Sequence, residues 1–278
     1  MRVLIVGDEG FIGSRIKQVL QDKGILIAGF DKEKGQDLRD WDLVKNTISS
    51  FEPDYVVHCA ANLNNDTFSC MSNNIIGSTH LFEACSRFGV KKLINFSSAA
   101  VYGNSVLPVH ELSHRRPINI YGWSKLCVEN LLYQYLGKLN FVNLRLSNVY
   151  GIGGKGIINK VIVCGKHNKI LTLYNNGQSI RDFIFVEDII KIVMMSINDF
   201  EGKNLVGTFN LSTGNETTII DLIDETNKIF RFNVETELGQ TLPEIEYSCL
   251  NNSKILKATD MEFTNLKEGL ELLKKQSI

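Results

Sequence analysis

The first 150 residues alternate short apolar runs with longer segments of helical periodicity. Residues 3–6 predict a buried strand, and residues 11–20 predict a helix with Ile12, Ile16 and Leu20 on one face. The same alternation predicts strands at 25–30, 55–59, 92–96 and 141–146, helices at 43–51, 74–88 and 118–136, and a polar, Asn-rich loop before residue 74. Strands that alternate with helices in this way are typical of an α/β fold with a parallel sheet.

The pattern changes after Gly151. Residues 151–156 are rich in glycine and predict a loop, and helix and strand signals mix from there on. We therefore predict a doubly wound parallel sheet over residues 1–150, with part of residues 183–205 returning to it. Residues 151–278 are expected to form mainly a smaller α+β lobe that binds the substrate.

Three glycines, Gly7, Gly10 and Gly13, connect the first predicted strand to the first predicted helix. In dinucleotide-binding proteins the first such glycine permits a tight turn, the second admits a pyrophosphate, and the third lets helix pack on strand. The helix N-terminus at Phe11 and Ile12 adds unpaired N–H groups and a favourable dipole. Such a loop alone is an ordinary turn, but with its strand and helix it predicts a Rossmann-type dinucleotide site.

An acidic residue follows the second predicted strand. Asp31 lies where a carboxylate accepts hydrogen bonds from ribose hydroxyls and repels a 2′-phosphate. The sequence therefore favours NAD over NADP as the cofactor, although Lys32 and Lys34 nearby keep NADP open as an alternative.

Two carboxylates within the glycine loop do not fit this picture directly. Asp8 and Glu9 would repel a pyrophosphate if they pointed toward it. We therefore expect both side chains to face solvent and the loop to offer the phosphates only backbone N–H groups.

A tyrosine and a lysine share one face of the predicted helix at 118–136. Tyr121 and Lys125 are spaced i and i+4. A nearby ammonium group stabilises a phenolate, so we expect a lowered pKa for Tyr121, which can then act as a base. Ser98 follows a predicted strand, at the edge of the sheet where α/β proteins bind ligands. Ser98, Tyr121 and Lys125 predict a site for hydroxyl oxidation or carbonyl reduction.

Composition excludes several other classes of protein. Lys and Arg number 30 against 31 Asp and Glu, a net charge of −1, which argues against a nucleic-acid or anionic-membrane partner. No apolar run reaches the length that spans a membrane. The six cysteines form no CxxC pair, which indicates a reducing compartment, and we expect the protein to be cytoplasmic.

Matches to one family run in order along nearly the whole chain. They comprise the GxxGxxG loop and residues 37–38, 58–61, 74–77, 98–103, 107–111, 121–125, 144–151, 181–188, 209–214 and 268–270. Together they resemble the extended short-chain dehydrogenases/reductases, in particular the NAD-dependent nucleotide-sugar epimerase/dehydratase group that includes the UDP-galactose 4-epimerases. The resemblance implies a nucleotide-diphosphate sugar as substrate and a homodimer formed through helices near 74–88 and 118–136.

The resemblance also implies roles for individual residues. Ser98 and Tyr121 would hydrogen-bond the reacting sugar oxygen, and Lys125 would hold the nicotinamide ribose. Asn148 and Arg181 would contact the diphosphate, Arg181 as a charge-assisted clamp. Further cofactor contacts are implied at Asp37 and Leu38, beside the adenine, and at Ala60 and Asn74.

Two departures from the family pattern limit the chemistry. Family dehydratases carry Asp-Glu directly after the position of Ser98, whereas Ala99 and Ala100 stand here and cannot do acid–base work. Fucose-type epimerase-reductases carry Cys at the position of Ala100. In addition, residues 237–243 lack the second diphosphate-binding arginine of many UDP-sugar enzymes.

Three hypotheses follow from these observations. We expect a nucleotide-sugar 4-epimerase that acts by transient oxidation at C4. The alternative is an NAD(P)H-dependent 4-ketoreductase of deoxysugar or surface-polysaccharide biosynthesis, which would use the same residues once. The third hypothesis, a non-catalytic NAD-binding sensor, would not require the set of Ser98, Tyr121 and Lys125.

One motif suggests a metal. His110-Glu111-Leu112-Ser113-His114 matches the H-E-x-x-H zinc pattern, which requires a helix to bring both histidines to one ion. Pro108 and Pro117 leave little room for that helix, so no metal is expected.

Overall fold

A computed structural model of the chain describes residues 1–63, 66–197, 205–241 and 244–276. The strands are β1 (Arg2–Val6), β2 (Leu26–Phe30), β3 (Tyr55–His58), β4 (Lys92–Ser98), β5 (Phe141–Leu146), β6 (Asn148–Tyr150), β7 (Leu171–Leu173), β8 (Ile180–Arg181), β9 (Phe183–Phe185), β10 (Gly207–Leu211), β11 (Thr217–Thr218), β12 (Thr236–Leu238) and β13 (Tyr247–Ser248). The helices are α1 (Phe11–Asp22), α2 (Trp41–Phe51), α3 (Thr67–Met71), α4 (Gly77–Arg87), α5 (Ile120–Tyr133), α6 (Ile157–His167), α7 (Val186–Ile197), α8 (Ile219–Phe230), α9 (Ser253–Thr259) and α10 (Leu266–Gln276). None of the helices in these ranges is long and apolar enough to cross a membrane.

The chain divides into two compact units. The first comprises Met1–Val101, Arg115–Arg145 and Ile190–Phe209, and the second comprises Tyr102–His114, Leu146–Ile189 and Asn210–Ile278. Within the segment 183–205 that the sequence predicts to return to the first domain, residues 198–204 lie outside the described residues.

The first unit is built on a six-stranded sheet with the order β10-β5-β4-β3-β1-β2. β1 pairs in parallel with both β2 and β3, and β3 pairs in parallel with β4. The strand order therefore reverses at β1, and open α/β sheets bind ligands at such a point, beyond the carboxyl ends of the strands. The predicted Rossmann-type α/β fold is confirmed.

Apolar packing between the sheet and its helices stabilises the first unit. Leu4 and Val56 on the strands join Val44 of α2, Phe82 of α4 and Leu132 of α5 in one buried cluster. Burying one such side chain contributes about 1.5–3 kcal/mol. The strands and helices predicted for the first 150 residues coincide with observed elements to within a few residues.

One predicted loop is wrong. The polar loop expected before residue 74 gives way to a helix at Thr67, because the Asp66 carboxylate accepts a hydrogen bond from the backbone N–H of Ser69 at 2.6 Å and so caps α3. A π-helical turn at Ser72–Ile76 then joins α3 to α4. Aspartate and asparagine are typical of loops, but they are also favoured helix caps.

The second unit contains smaller sheets and its own core. β8 lies between β11 and β13, β6 pairs in parallel with β9, and β7 pairs in parallel with β12. Val161 of α6 and Ile223 of α8 pack with Leu171, Leu173 and Val234. The short strands and helices of this unit explain why helix and strand patterns are mixed in the sequence after Gly151.

Helix α1 lies close to the end of β1 at Gly13. A Cβ atom there would lie 2.0 Å from the carbonyl oxygen of Gly7, whereas one at Gly10 would lie 3.3 Å from the same atom. We expect Gly13→Ala to lower the free energy of unfolding by about 2–3 kcal/mol through overpacking. Gly10→Ala is the matched control and should cost about 1 kcal/mol or less, as a poorer helix cap. Urea unfolding of both variants measures the difference, and equal losses would contradict the argument.

Candidate active site

The glycine loop lies where β1, β2 and β3 end. Gly7 adopts a left-handed φ of 88°, and its N–H donates to the carbonyl of Phe30 at 2.8 Å. A Cβ atom on Gly7 would lie 2.7 Å from the backbone nitrogen of Ala60, so only glycine fits. Gly10 begins α1 without a side-chain cap. The backbone thus leaves a cradle, with helix N–H groups at its edge, that fits a pyrophosphate.

Asp31 stands beside this loop. One carboxylate oxygen accepts from the backbone N–H of Glu9 at 3.1 Å, and the other accepts from that of Glu33 at 2.9 Å. The carboxylate is thereby oriented at the carboxyl end of β2, where a ribose hydroxyl is bound in Rossmann-type sites. The residues present therefore fit a dinucleotide.

The expectation that Asp8 and Glu9 face solvent is wrong for Asp8. The Asp8 side chain is 0% exposed, and its Oδ2 atom lies 2.9 Å from Lys17 Nζ and 2.5 Å from Lys34 Nζ. Gly29 makes room for it, because a Cβ on Gly29 would lie 2.0 Å from the same oxygen. Glu9 remains partly exposed and pairs with both lysines. Two ammonium groups compensate the charge that burial would otherwise make costly.

Asp37 and Leu38, the residues implied beside the adenine, have different surroundings. The Asp37 carboxylate forms a two-pronged pair with Arg39, which lowers the pKa of Asp37 to about 2. Leu38 packs against Gly77 of α4, where a Cβ would lie 2.8 Å from the leucine Cβ. The carbonyl of Leu38 accepts a hydrogen bond from His80 Nδ1 at 3.0 Å.

Asn74 lies in the π-helical turn, and its buried side chain bonds to protein groups. Its Oδ1 accepts from the backbone N–H of Asn62 at 2.7 Å, and its Nδ2 donates to the Asn62 carbonyl at 3.0 Å and to Ser124 Oγ at 2.8 Å. Asn74 therefore ties the loop after β3 to α5, beside Lys125. A direct contact of Asn74 with the cofactor stays a prediction.

The start of α5 brings three predicted residues together. Asn119 caps the helix by accepting from the Gly122 N–H at 2.8 Å. A Cβ on Gly122 would lie 2.5 Å from the carbonyl oxygen of Ala100, so α5 packs closely on the turn after β4. As a result the Tyr121 phenol lies near enough to the Ser98 hydroxyl for that hydroxyl to lower the pKa of Tyr121. Lys125 Nζ lies 6.0 Å from the centre of the Tyr121 ring.

Burial determines the electrostatics of this group. It raises the pKa of Tyr121 to about 12, although the Ser98 hydroxyl acts in the opposite direction. Burial also lowers the pKa of Lys125 to about 8, and its Nζ donates to the Phe96 carbonyl at 2.8 Å. The expected lowering of the Tyr121 pKa is therefore wrong for the chain by itself, because loss of hydration outweighs the effect of the Ser98 hydroxyl.

A buried ion pair that the sequence analysis missed holds α5 in place. Glu129, one turn beyond Lys125, accepts two hydrogen bonds from Arg145 of β5, at 2.9 and 2.7 Å, and one from Ser97 Oγ of β4. Arg115 also contacts the Glu129 carboxylate at 3.2 Å. In the sequence, the only indication of this pair was that Glu129 lies four residues after Lys125, on the same face of the helix.

Asn148 and Arg181 lie in the second unit, on adjacent segments. The backbone N–H of Asn148 donates to the carbonyl of Asp182 at 2.9 Å. Arg181 is mostly buried; its Nη1 donates to the Ile180 carbonyl at 2.9 Å, and its Nη2 lies 3.5 Å from a carboxylate oxygen of Glu244. The structure thus brings these two predicted residues close to each other.

Asp182 orders the loop beside them. It is fully buried, and its carboxylate accepts from the backbone N–H groups of Thr213 and Gly214 at 3.1 and 3.0 Å and from the Thr213 hydroxyl at 2.9 Å. Burial raises the pKa of Asp182, while these hydrogen bonds act to lower it. Asp182 therefore organises the surroundings of Arg181.

The segment at 110–114 forms a turn, as its flanking prolines predict. The Glu111 carboxylate accepts from the backbone N–H of Asn210 at 2.8 Å. Across the described ranges, no three or more His, Cys, Asp or Glu side chains are grouped so that they could hold a metal ion.

A Rossmann-type sheet with this glycine loop and a Ser–Tyr–Lys group defines the extended short-chain dehydrogenase/reductase class. The profile of the NAD dependent epimerase/dehydratase family matches residues 3–212, and the chain belongs to this family. The predicted family is thereby confirmed, and NAD is confirmed as the cofactor of the family.

Individual relatives resemble the chain over most of its length. A putative UDP-glucose 4-epimerase of Methanocaldococcus jannaschii is 30% identical over 250 residues, 80% of each chain. A GDP-6-deoxy-D-talose 4-dehydrogenase of Aggregatibacter actinomycetemcomitans is 27% identical over 100% of this chain and 98% of its own. Among solved structures, a Thermus thermophilus UDP-glucose 4-epimerase in complex with NAD superimposes with a TM-score of 0.89, at 28% identity, over 99% of this chain and 98% of its own.

The burial of Lys125 is predicted to lower the stability of the protein while placing the ammonium group where the reaction needs it. Because burial lowers its pKa to about 8, below that of an exposed lysine, the native state holds this proton less tightly than the unfolded state. The cost of burying the charged ammonium group is present in full below pH 8. It is relieved as the pH rises from about 8 toward the ordinary pKa of an exposed lysine. Lys125→Met should therefore stabilise the nucleotide-free protein at pH 7 by on the order of 1 kcal/mol, since loss of the Phe96 hydrogen bond offsets part of the gain.

Chemical unfolding at pH 7 and pH 9.5 measures this effect. The stabilisation should shrink at the higher pH, where Lys125 of the unmodified protein is largely neutral. Lys274→Met, on α10, is a control for the general effect of removing a lysine. A destabilised Lys125→Met protein at pH 7 would contradict the argument.

Proposed function

We propose that the protein is a nucleotide-sugar 4-epimerase that acts by transient oxidation at C4. The proposal is carried by the grouping of Ser98, Tyr121 and Lys125 at the carboxyl end of β4 and the start of α5. The Ser98 hydroxyl is near enough to the Tyr121 phenol to affect its pKa, so both groups can hydrogen-bond one sugar oxygen. A non-catalytic sensor would have no need of this grouping.

The chain's own residues manage the proton of the reaction. NAD, when bound, supplies the reversible hydride acceptor for C4. Tyr121, as the phenolate, accepts the proton of the 4-hydroxyl group and later returns it to the 4-keto oxygen. Ser98 hydrogen-bonds the same oxygen and orients it. The positive charges of Lys125 and of the oxidised cofactor favour the phenolate and so oppose the effect of burial on the Tyr121 pKa.

The cofactor is proposed to bind along the ends of β1, β2 and β3. The glycine loop and the N–H groups of Phe11 and Ile12 would hold the pyrophosphate, and Asp31 the adenosine ribose. Asp37, Leu38, Ala60 and Asn74 complete the proposed cofactor set. Lys125 would hold the nicotinamide ribose. Only one of its three N–H donors is used by the Phe96 carbonyl, so the other two can bind ribose hydroxyls.

The substrate is proposed to be a nucleotide-diphosphate sugar. Arg181 and Asn148 would bind its diphosphate, because a guanidinium group presents paired donors to phosphate oxygens. The contact of Arg181 with Glu244 is long at 3.5 Å, which leaves the guanidinium free to exchange it for a stronger acceptor. The named UDP-glucose 4-epimerase relatives support a UDP-sugar.

Elimination of water is not part of the proposed reaction. Ala99 and Ala100 follow Ser98 in a short 3-10 turn. Neither side chain can donate or accept a proton, so this turn does not supply the Asp-Glu acid–base pair of the family dehydratases.

Product analysis with purified protein tests the proposal. We expect UDP-galactose or UDP-N-acetylglucosamine to yield its 4-epimer without added NADH. Tyr121→Phe should lower kcat by about 10²–10⁴-fold, the usual contribution of a general acid–base group. Tyr133→Phe, on the same helix but bonded to Thr208, is the matched control and should keep its rate. Full activity of Tyr121→Phe would disprove the enzymatic role of the trio.

A second candidate is a nucleotide-sugar 4-ketoreductase, which would reduce a 4-keto sugar once and release the oxidised cofactor. The full-length match to a GDP-6-deoxy-D-talose 4-dehydrogenase favours it. The same assay separates the two. Stoichiometric loss of NADH with a 4-keto sugar, and no epimer from a UDP-sugar, would replace the first proposal with the second.

The protein is proposed to form a homodimer through the helices near 74–88 and 118–136. Both regions expose apolar side chains, among them Ile76, Phe88 and Trp123. Such surfaces are typical of subunit interfaces. Sedimentation at micromolar concentration should show a dimer, and Trp123→Glu should weaken it. Trp41→Glu is not a suitable control, because Trp41 packs against the buried core of the first unit. A monomer at that concentration would count against the proposal.

The proposed location is the cytoplasm. All six cysteines are free thiols, as in proteins of reducing compartments. The balanced charge offers no reason to invoke a nucleic-acid or membrane partner.

A further inference from the structure

Four charged side chains around the glycine loop form a compact group, here called the loop ion cluster: Asp8, Glu9, Lys17 and Lys34. Each lysine contacts both carboxylates. Lys17 Nζ lies 2.9 Å from Asp8 Oδ2 and 2.9 Å from Glu9 Oε1. Lys34 Nζ lies 2.5 Å and 3.0 Å from the same two oxygens. Lys17 and Lys34 are therefore both paired with carboxylates of the loop itself.

The cluster is joined to the carboxylate proposed to bind ribose. Asp31 Oδ2 accepts from the backbone N–H of Glu9 at 3.1 Å. Asp31 also caps the 3-10 turn Lys32–Lys34, which carries Lys34. Asp31 and the ammonium group of Lys34 thus belong to one hydrogen-bonded assembly at the end of β2.

Burial fixes the centre of the cluster. Asp8 sits in the space that Gly29 leaves by lacking a Cβ, and its Oδ1 atom is a buried oxygen without a hydrogen-bond partner within the described structure. Hydrogen bonds from Lys17 and Lys34 lower the pKa of Glu9 to about 2. The pKa of Lys34 is raised, since its bonds to Asp8 and Glu9 together outweigh the effect of its burial. Glu9, Lys17 and Lys34 are therefore charged at neutral pH.

A 2′-phosphate on the adenosine ribose needs a cation beside it, and proteins that use NADP supply an arginine or lysine there. Lys32 and Lys34 both follow Asp31 in the same short turn, and Lys34 is the one whose ammonium group lies beside the glycine loop. In this structure its ammonium group is turned onto Asp8 and Glu9 instead.

We propose that Asp8 and Glu9 are specificity-determining residues for the cofactor. They hold Lys34 and Lys17 on the loop carboxylates, so that neither of these two ammonium groups is available to a 2′-phosphate, while Asp31 repels it directly. The cluster selects a dinucleotide with a free 2′-hydroxyl. This inference rests on the proposed nucleotide site but is independent of which sugar reaction the protein performs.

Equilibrium titration of the full-length, nucleotide-free protein with NAD⁺ and with NADP⁺ tests the proposal. Glu9→Gln should strengthen NADP⁺ binding relative to NAD⁺ by about tenfold, the size of one charge-assisted contact. Asp8→Asn should act in the same direction. Glu33→Gln is the matched control, because Glu33 is an exposed acid of the nearby turn after β2 for which no pairing with Lys17 or Lys34 is seen. It changes the net charge equally and should leave the Kd ratio within about twofold.

A second substitution, Lys34→Met, shows whether any gain in NADP⁺ binding comes from the freed Lys34 ammonium group or only from the change in net charge. Lys34→Met in the unmodified chain should not weaken NADP⁺ binding, because Lys34 is already paired with Asp8 and Glu9. In the Glu9→Gln background, Lys34→Met should abolish the tenfold gain. Thermal unfolding of each variant without nucleotide shows that it is folded; if Asp8→Asn unfolds, the partly exposed Glu9 still provides the test.

The outcomes are distinct. A Glu9→Gln protein whose NADP⁺ to NAD⁺ ratio matches that of Glu33→Gln, or a gain that survives Lys34→Met, would overturn the proposal and leave the cluster a structural one. If the unmodified protein binds neither dinucleotide, the proposed nucleotide site itself fails.

Discussion

The near contact of helix α1 with the carbonyl of Gly7 is the constraint on which the first unit depends. Gly13 can lie against that carbonyl, and Gly7 against the backbone of Ala60, only because neither carries a Cβ. The ends of β1, β2 and β3 and the start of α1 therefore converge within a few ångströms. This convergence leaves backbone N–H groups exposed at the start of α1, and the proposed pyrophosphate and ribose contacts are arranged around them.

The second constraint is the position of α5. Asn119 begins the helix, Gly122 lets it approach the turn after β4, and the pair of Glu129 and Arg145 holds it against β5. Replacing a buried ion pair by apolar groups is often neutral or stabilising, so the pair is not explained by stability alone. Its position one turn from Lys125 indicates that it orients the reactive face of the helix. Burial of Lys125 is similarly unfavourable for stability and useful for chemistry.

Burial also determines how the charged residues of the glycine loop are arranged. Asp8 and Glu9 look unsuitable beside a pyrophosphate when they are considered as isolated charges. Paired with Lys17 and Lys34, they become a fixed, largely neutralised group that shapes the potential near Asp31. The neutral overall composition of the chain conceals this local organisation.

The sequence by itself determined the α/β fold, the glycine loop, Asp31 after β2, and the trio of Ser98, Tyr121 and Lys125. These features depend on periodicity and short-range spacing, which the chain carries locally. The tertiary structure alone decided that Asp8 is buried, that the Tyr121 pKa rises rather than falls, and that Glu129 meets Arg145. Each of these depends on residues distant in sequence: Gly29 makes room for Asp8, and the packing of α5 on β4 and β5 removes water from Tyr121 and joins the ion pair. Desolvation and pairing of charges depend on the folded environment, so spacing along the chain cannot reveal them.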